Sequence, residues 1–131
     1  MSKVIHARGK RKRAVARATL APGVGKVRIN GMFLDTFTPE LLRLKIQEPL
    51  ILAGDVSNSV NIDVNVFGGG VNGQADAARL AIARCLVQHD EKLKSAFTEY
   101  DRLLLVADIR RKEVCKPNDS KARAKRQKSY R

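Results

Sequence analysis

Residues 60–89 read VNIDVNVFGGGVNGQADAARLAIARCLVQH, and two periodicities meet inside them. From Val60 to Phe67 the pattern alternates. Val60, Ile62, Val64 and Val66 fall on one side, and Asn61, Asp63 and Asn65 on the other. A period of two describes a strand with one buried and one solvated face. Gly68-Gly69-Gly70 stops that strand with residues free to adopt positive φ. From Val71 to His89 the period changes. Val71, Ala75, Ala78, Ile82, Cys85, Leu86 and His89 recur at helical spacing, which predicts a long helix. Its alanines predict close packing on a sheet. A strand feeding such a helix predicts an α+β layer.

Working outward, VIHARG (4–9) reads as a short strand and RAVARATL (13–20) as an alternating one. APGVG (21–25) is turn chemistry, and residues 26–30 alternate again, so the two segments are expected to pair as a hairpin. Asn30-Gly31 is a second turn signal, with Met32-Phe33-Leu34 pairing briefly beyond it. Thr38-Pro39-Glu40 opens a helix, with Thr38 as N-cap and Pro39 at the first position. Leu41, Leu42, Leu44 and Ile46 supply its apolar side, and Pro49 is expected to interrupt it, with residues 50–54 adding a turn or two. Asp90 to Tyr100 predicts a second, shorter helix on Leu93 and Phe97, and Leu103 to Val106 a last buried strand. The expected fold is a two-layer α/β sandwich of about four strands with helices on one face. Residues 1–108 form the globular part with its basic N-terminal region, and residues 109–131 an extended basic tail that a partner orders.

The 131 residues carry 26 Lys/Arg against 13 Asp/Glu, a net charge of +13. The charge is segregated. Residues 1–28 hold nine Lys/Arg and no acid, residues 29–108 hold seven against eleven acids, and residues 109–131 hold ten against two. A solvated surface intersperses its signs; a mildly acidic middle between basic ends predicts ends that bind a polyanion. Nucleic acid is the leading candidate and an anionic membrane surface the alternative. No signal peptide precedes MSKVIHARGKRKR, and no apolar run approaches the roughly 18 residues of a membrane span. These features predict a cytoplasmic protein, without membrane association, whose Cys85 and Cys115 stay reduced.

Several local patterns carry chemistry. Gly68, Gly70 and Gly73 spell G-x-G-x-x-G between strand and helix, with Asp90 and Glu91 downstream, formally a dinucleotide fingerprint. Such a site needs further βαβ units, for which too little chain follows. The same glycines serve a tight turn, or a helix start that offers N–H groups to a phosphate, RNA backbone included. Lys10-Arg11-Lys12-Arg13, with Arg8 and Arg17, joins Lys26 and Arg28 on adjoining strands as a patch for a polyanion. Cys85 and His89 stand four apart on the helix, but His6 and Cys115 lack zinc-like spacing, so no metal site is expected. No nucleophile–base set stands out, so neither enzymatic activity, cofactor nor small-molecule substrate is expected. In the tail, Lys121, Arg123, Lys125, Arg126, Lys128 and Arg131 alternate with small spacers that let a chain follow phosphates, and Tyr130 adds a ring near the tip. A solubilising tail is the plainer alternative.

With these residues in view, the chain resembles small-subunit ribosomal protein nine, the universal S-nine family, in its archaeal and eukaryotic form. The resemblance runs through GKRKRAVARATL (9–20), GKVRING (25–31), EPLILAG (48–54), GGGVNGQADAARLAIARCLV (68–87), YDRLLLVADIRRKE (100–113) and KPNDSKARAKRQKSYR (116–131). The KRQKSYR ending is similar to that branch, and the short body and KPN to its archaeal members. It implies a fold like the second domain of ribosomal protein five, placed in the head of the small subunit among neighbouring head proteins. With ribosomal RNA as the polyanion, the basic patch and the helix start predict contacts from Arg8, Lys10, Arg11, Lys12, Arg13 and Arg17 and from the turn residues Gly69, Gly70, Asn72, Gly73 and Gln74. Arg110, Arg111, Lys112, Lys116, Lys121, Arg123, Lys125 and Arg126 would continue those contacts along the tail. Lys128, Ser129, Tyr130 and Arg131 would approach peptidyl-site tRNA. Family members often carry a Gly-Pro or similar turn before RAKRQKSYR; here NDSKARAKR has neither. A DNA-compacting protein would share the charge, but the main helix offers only Arg79 and Arg84 to a groove. A general RNA-binding module would display stacking aromatics on its sheet, and aromatics are few.

Overall fold

In the computed structural model, residues 3–37 and 39–125 are described. β1 (Ile5–Arg11), β2 (Ala14–Pro22), β3 (Val27–Ile29) and β4 (Met32–Phe33) precede α1 (Glu40–Ala53) and the single turn α2 (Asp55–Asn58). β5 (Val60–Phe67), α3 (Val71–His89) and α4 (Leu93–Tyr100) follow. The strands form one five-stranded sheet in the order β1-β2-β5-β3-β4. The architecture is the expected α+β layer, with five strands instead of about four.

Alternation decides which face is covered. Val60, Ile62, Val64 and Val66 of β5 are buried with Ala14, Ala16, Ala18 and Leu20 of β2 against α3, while Asp63, Asn65 and Phe67 are exposed. α3 is buried along most of its girth, through Ala75, Ala77, Ala78, Leu80, Ala81, Ile82, Ala83, Cys85 and Leu86. Small residues on both sides set the spacing. A Cβ on Gly9 of β1 would lie 2.2 Å from the carbonyl oxygen of Ala77 and 2.8 Å from the nitrogen of Ala81. Val71 and His89, at the ends of the predicted apolar stripe, are exposed.

Four expectations are corrected. First, β2 does not pair with β3. β5 lies between them, antiparallel to β2 and parallel to β3. The loop after β2 crosses the start of β5, where Asn61 Oδ1 accepts the N–H groups of Val24 at 3.0 Å and Lys26 at 3.1 Å. The local turn signal was real, but a longer apolar strand took the central place. Second, Pro49 sits inside α1 instead of interrupting it. Leu42, Ile46, Pro49 and Ala53 form one buried stripe, and that packing carries the helix past the lost hydrogen bond. Leu41 and Leu44 are exposed, and Pro39 stands at the N-cap position; Thr38 lies outside the described residues. Third, Leu103–Val106 is no strand. Residues Arg102–Leu104 form a 3-10 turn whose start is capped by Asp101, and Leu104 is buried. A short apolar run fits either form. Fourth, β1 continues to Arg11, so the basic run forms a strand end and a tight turn. The Asn30-Gly31 turn is as expected: both residues have positive φ, and Arg28 and Ile29 pair with Phe33 and Met32.

Candidate nucleic-acid interface

The basic run is sorted by the pleat of β1. Arg8 and Lys10 are exposed on the open face of the sheet, and Arg11 turns toward the helical layer. Lys12 and Arg13 form the exposed turn to β2, Lys12 with φ 54°. The glycine turn after β5 is pressed against that hairpin. Gly68 has φ 74°, and a Cβ there would lie 2.6 Å from the Arg13 carbonyl oxygen; one on Gly69 would lie 2.9 Å from the Ala14 nitrogen. Glycine is required here by both conformation and space. Gln74 donates to the Gly68 carbonyl at 3.0 Å, which braces the turn and engages its amide. Asn72 is exposed at the start of α3.

A third segment completes the site. Arg11 Nη1 donates to the Arg110 carbonyl at 3.1 Å, and Arg111 Nη2 to the Lys12 carbonyl at 3.2 Å. Arg11 also lies 3.5 Å from Asp108 and 3.8 Å from Asp76. Asp108 receives the Arg110 guanidinium and backbone N–H, and together these hold its carboxyl well below the usual carboxylate range. Arg84 links α3 to both neighbours, donating to the carbonyls of Arg8 at 2.9 Å and Leu105 at 3.2 Å. The start of the tail is thereby fastened beside the β1–β2 turn.

The result is a groove of about 600 Å³ lined by Arg11, Lys12, Arg13, Gly69, Gly70, Gly73, Arg111 and Lys112, with no acidic side chain among the lining residues. Eight of the residues assigned to RNA therefore converge from three stretches of chain. They do not play one role. Arg11 is pinned between Asp76 and Asp108, and Arg110 is bound to Asp108, so both serve the clasp.

Pairing separates the cations further. Arg28 is held by Asp63 at 2.8 and 3.2 Å, Lys45 by Asp76 at 2.8 Å, Arg43 by Glu40, and Arg79 by Glu48 and Asp101. Asp101 sits below its usual range through the Leu103 N–H and Arg79. By contrast, the side chains of Arg8, Lys10, Lys12, Arg13 and Lys112 make neither hydrogen bond nor ion pair among the described residues. Lys116, Lys121 and Lys125, which do not line the groove, are likewise unpaired among the described residues. Arg123 is paired with Glu113 at 2.7 Å in full exposure. Where the chain lacks a Gly-Pro turn, Asn118 adopts φ 65°, and turns close at Asp119–Lys116 and Ala124–Lys121. Arg126, Lys128, Ser129, Tyr130 and Arg131 lie outside the described residues.

Arg17 belongs to a second surface. On the open sheet face its guanidinium carbon stands 5.5 Å from the centre of the Phe67 ring. Sequence reasoning placed Asn65 on the solvated face but missed Phe67 as a surface feature, although the same alternation puts it outside. The remaining candidates separate. Cys85 is buried, with Sγ 3.6 Å from the Ala18 carbonyl oxygen, and burial pushes its thiol up to about 11. His89 is exposed. Among the described residues no group of three His, Cys, Asp or Glu side chains is placed to hold a metal ion, and no helix is long and apolar enough to cross a membrane. The G-x-G-x-x-G turn lies on a sheet whose only parallel pair among the described residues is β3 with β5, which is not the doubly wound frame of a dinucleotide fold.

A two-layer α+β domain that pairs Arg28, Arg43, Lys45 and Arg79 with acids and gathers Lys12, Arg13 and Lys112, unpaired among the described residues, around one groove has the charge layout of the polyanion-docking class. The chain belongs to the ribosomal protein S9/S16 family, whose model matches residues 9–131. Over 131 residues it is 51% identical to small ribosomal subunit protein uS9 of Methanothrix thermoacetophila, covering 98% of this chain and 99% of that one. It is 48% identical to the protein of the same name from Methanococcus vannielii, again over 98% and 99% of the two chains. The Pyrobaculum aerophilum protein of that name is 50% identical over 98% of this chain and 92% of its own. It is a ribosomal protein.

Proposed function

We propose that this protein is a structural, non-enzymatic constituent of the small ribosomal subunit. It docks on ribosomal RNA of the subunit head by its basic pole, beside neighbouring head proteins. In this reading residues 1–108 are the docking body, and residues 109–131 continue along the RNA until Lys128, Ser129, Tyr130 and Arg131 reach peptidyl-site tRNA. The observation that carries the docking step is the set of unpaired cations, Lys12, Arg13 and Lys112, around an acid-free groove. Unpaired cations lose no protein partner on binding phosphate, and the counterions released from RNA supply the driving force. The exposed Arg123–Glu113 pair is weakly held in solvent and can be exchanged for a phosphate contact. The function of the tail tip rests on the family resemblance and on its charge.

Sedimentation of a gentle cell lysate tests the first part. The chain should travel with the small subunit and be released by ribonuclease or high salt; its staying at the top of an untreated gradient would refute the proposal. Removal of Lys128–Arg131 tests the second. Subunits should assemble and hold peptidyl-site tRNA less tightly, and unchanged tRNA affinity would remove the tip from the site.

A further inference from the structure

We infer that the open face of the sheet at Phe67 and Arg17 is a stacking platform for an unpaired base of RNA, distinct from the phosphate groove. The inference deepens the RNA-docking function proposed above and rests on it. Phe67 ends the polar side of β5, where Asn61, Asp63 and Asn65 precede it, and half of its surface is exposed (50%). A large ring in that row gains nothing from the core, because the helices cover the opposite face. Its surroundings are cationic. Strand register sets Phe67 opposite Val15, Val15 opposite Lys10, Asn65 opposite Arg17 and Arg17 opposite Arg8.

Charge on this face is unbalanced. Arg8 and Lys10 have no acidic partner among the described residues, and Arg17 has only the ring, 5.5 Å away. Asp63 is already engaged by Arg28. Arg8 and Lys10 are two residues apart on one strand, roughly 6.6 Å, which suits an extended phosphate backbone running beside the ring. The Asn65 amide has no partner among the described residues and offers both donor and acceptor to a base edge.

These features select the ligand. A duplex hides its base faces and would leave the ring with nothing to stack on, whereas a splayed single strand presents a π-face. A docked protein would meet several like charges without counter-ions, unlike the charge-depleted centre of a protein interface.

The test uses the full chain and fluorescence anisotropy at one fixed salt concentration. The probes are a short oligoadenylate and an abasic ribose-phosphate strand of the same length. Phe67→Leu should weaken oligoadenylate binding by roughly tenfold and leave the abasic strand unchanged, with Phe67→Tyr close to wild type. Equal oligoadenylate affinity for wild type and Phe67→Leu overturns the inference and leaves the ring to a protein neighbour. An equal loss on both strands also overturns it, assigning Phe67 to packing. If the wild-type chain fails to bind the abasic strand, the RNA-docking function itself falls.

Discussion

Neutralising Lys12 and Arg13 together should change the salt dependence of RNA binding, and neutralising Arg28 and Arg43 should not. Both double variants remove the same formal charge, so net charge alone predicts the same outcome for each. The structure separates them. Lys12 and Arg13 border the groove without a partner among the described residues, while Arg28 is held by Asp63 and Arg43 by Glu40. Each phosphate contact contributes roughly 0.7–0.9 to the slope of log affinity against log salt. Losing two should flatten that slope by about 1.4–1.8. Between 50 and 200 mM salt the Lys12→Gln/Arg13→Gln variant should therefore lose roughly tenfold less affinity than wild type does. The assay is a salt titration of small-subunit RNA binding by filter retention, with melting curves to confirm folding. Equal slope changes in the two variants would refute the pairing argument, leaving only diffuse charge.

Four further outcomes follow from the geometry. Gly9→Ala puts a Cβ against helix backbone that cannot rotate away, so destabilisation should reach about 3 kcal/mol, the upper range of overpacking; a thermal melt within a degree of wild type would contradict it. Arg79→Ala strands Glu48 and Asp101 and should cost about 2 kcal/mol in urea unfolding, with no loss disproving the tie. Asp101 and Asp108 both have depressed folded values, so their stabilisation is complete above the usual carboxylate range and is lost as pH falls through and below it. Tail cleavage in limited proteolysis should rise on that acid side, and Asp108→Asn should reproduce the rise at neutral pH; pH-independent cleavage would exclude the clasp. Iodoacetamide at neutral pH should label exposed Cys115 and spare Cys85, which is buried with its thiol pushed up to about 11; labelling of both in the native protein would contradict that burial.

Much of the layer was legible along the chain because it depends on neighbours in sequence. Alternation from Val60 to Phe67 was enough for β5, and helical spacing for α3. The requirement for glycine at Gly68 was visible as a break, though its closeness to Arg13 was not. Errors arose where local pattern competed with packing. The proline at position 49 is a local signal against helix, and a buried stripe running from Leu42 to Ala53 overrode it. Leu103–Val106 was apolar enough for burial but too short to choose between strand and turn.

By itself the sequence determined the composition of the two layers, the basic character of both ends and the place where strand becomes helix, since each follows from period or charge over a few residues. The tertiary structure decided strand order and charge accounting, because both depend on partners far apart in the chain. β5 entered between β2 and β3 although the loop joining them is short. Arg28 found Asp63 35 residues away and Arg79 found Glu48 31 away. A cation's freedom to meet RNA depends on whether an acid has reached it first, and only the folded chain fixes which acids come near.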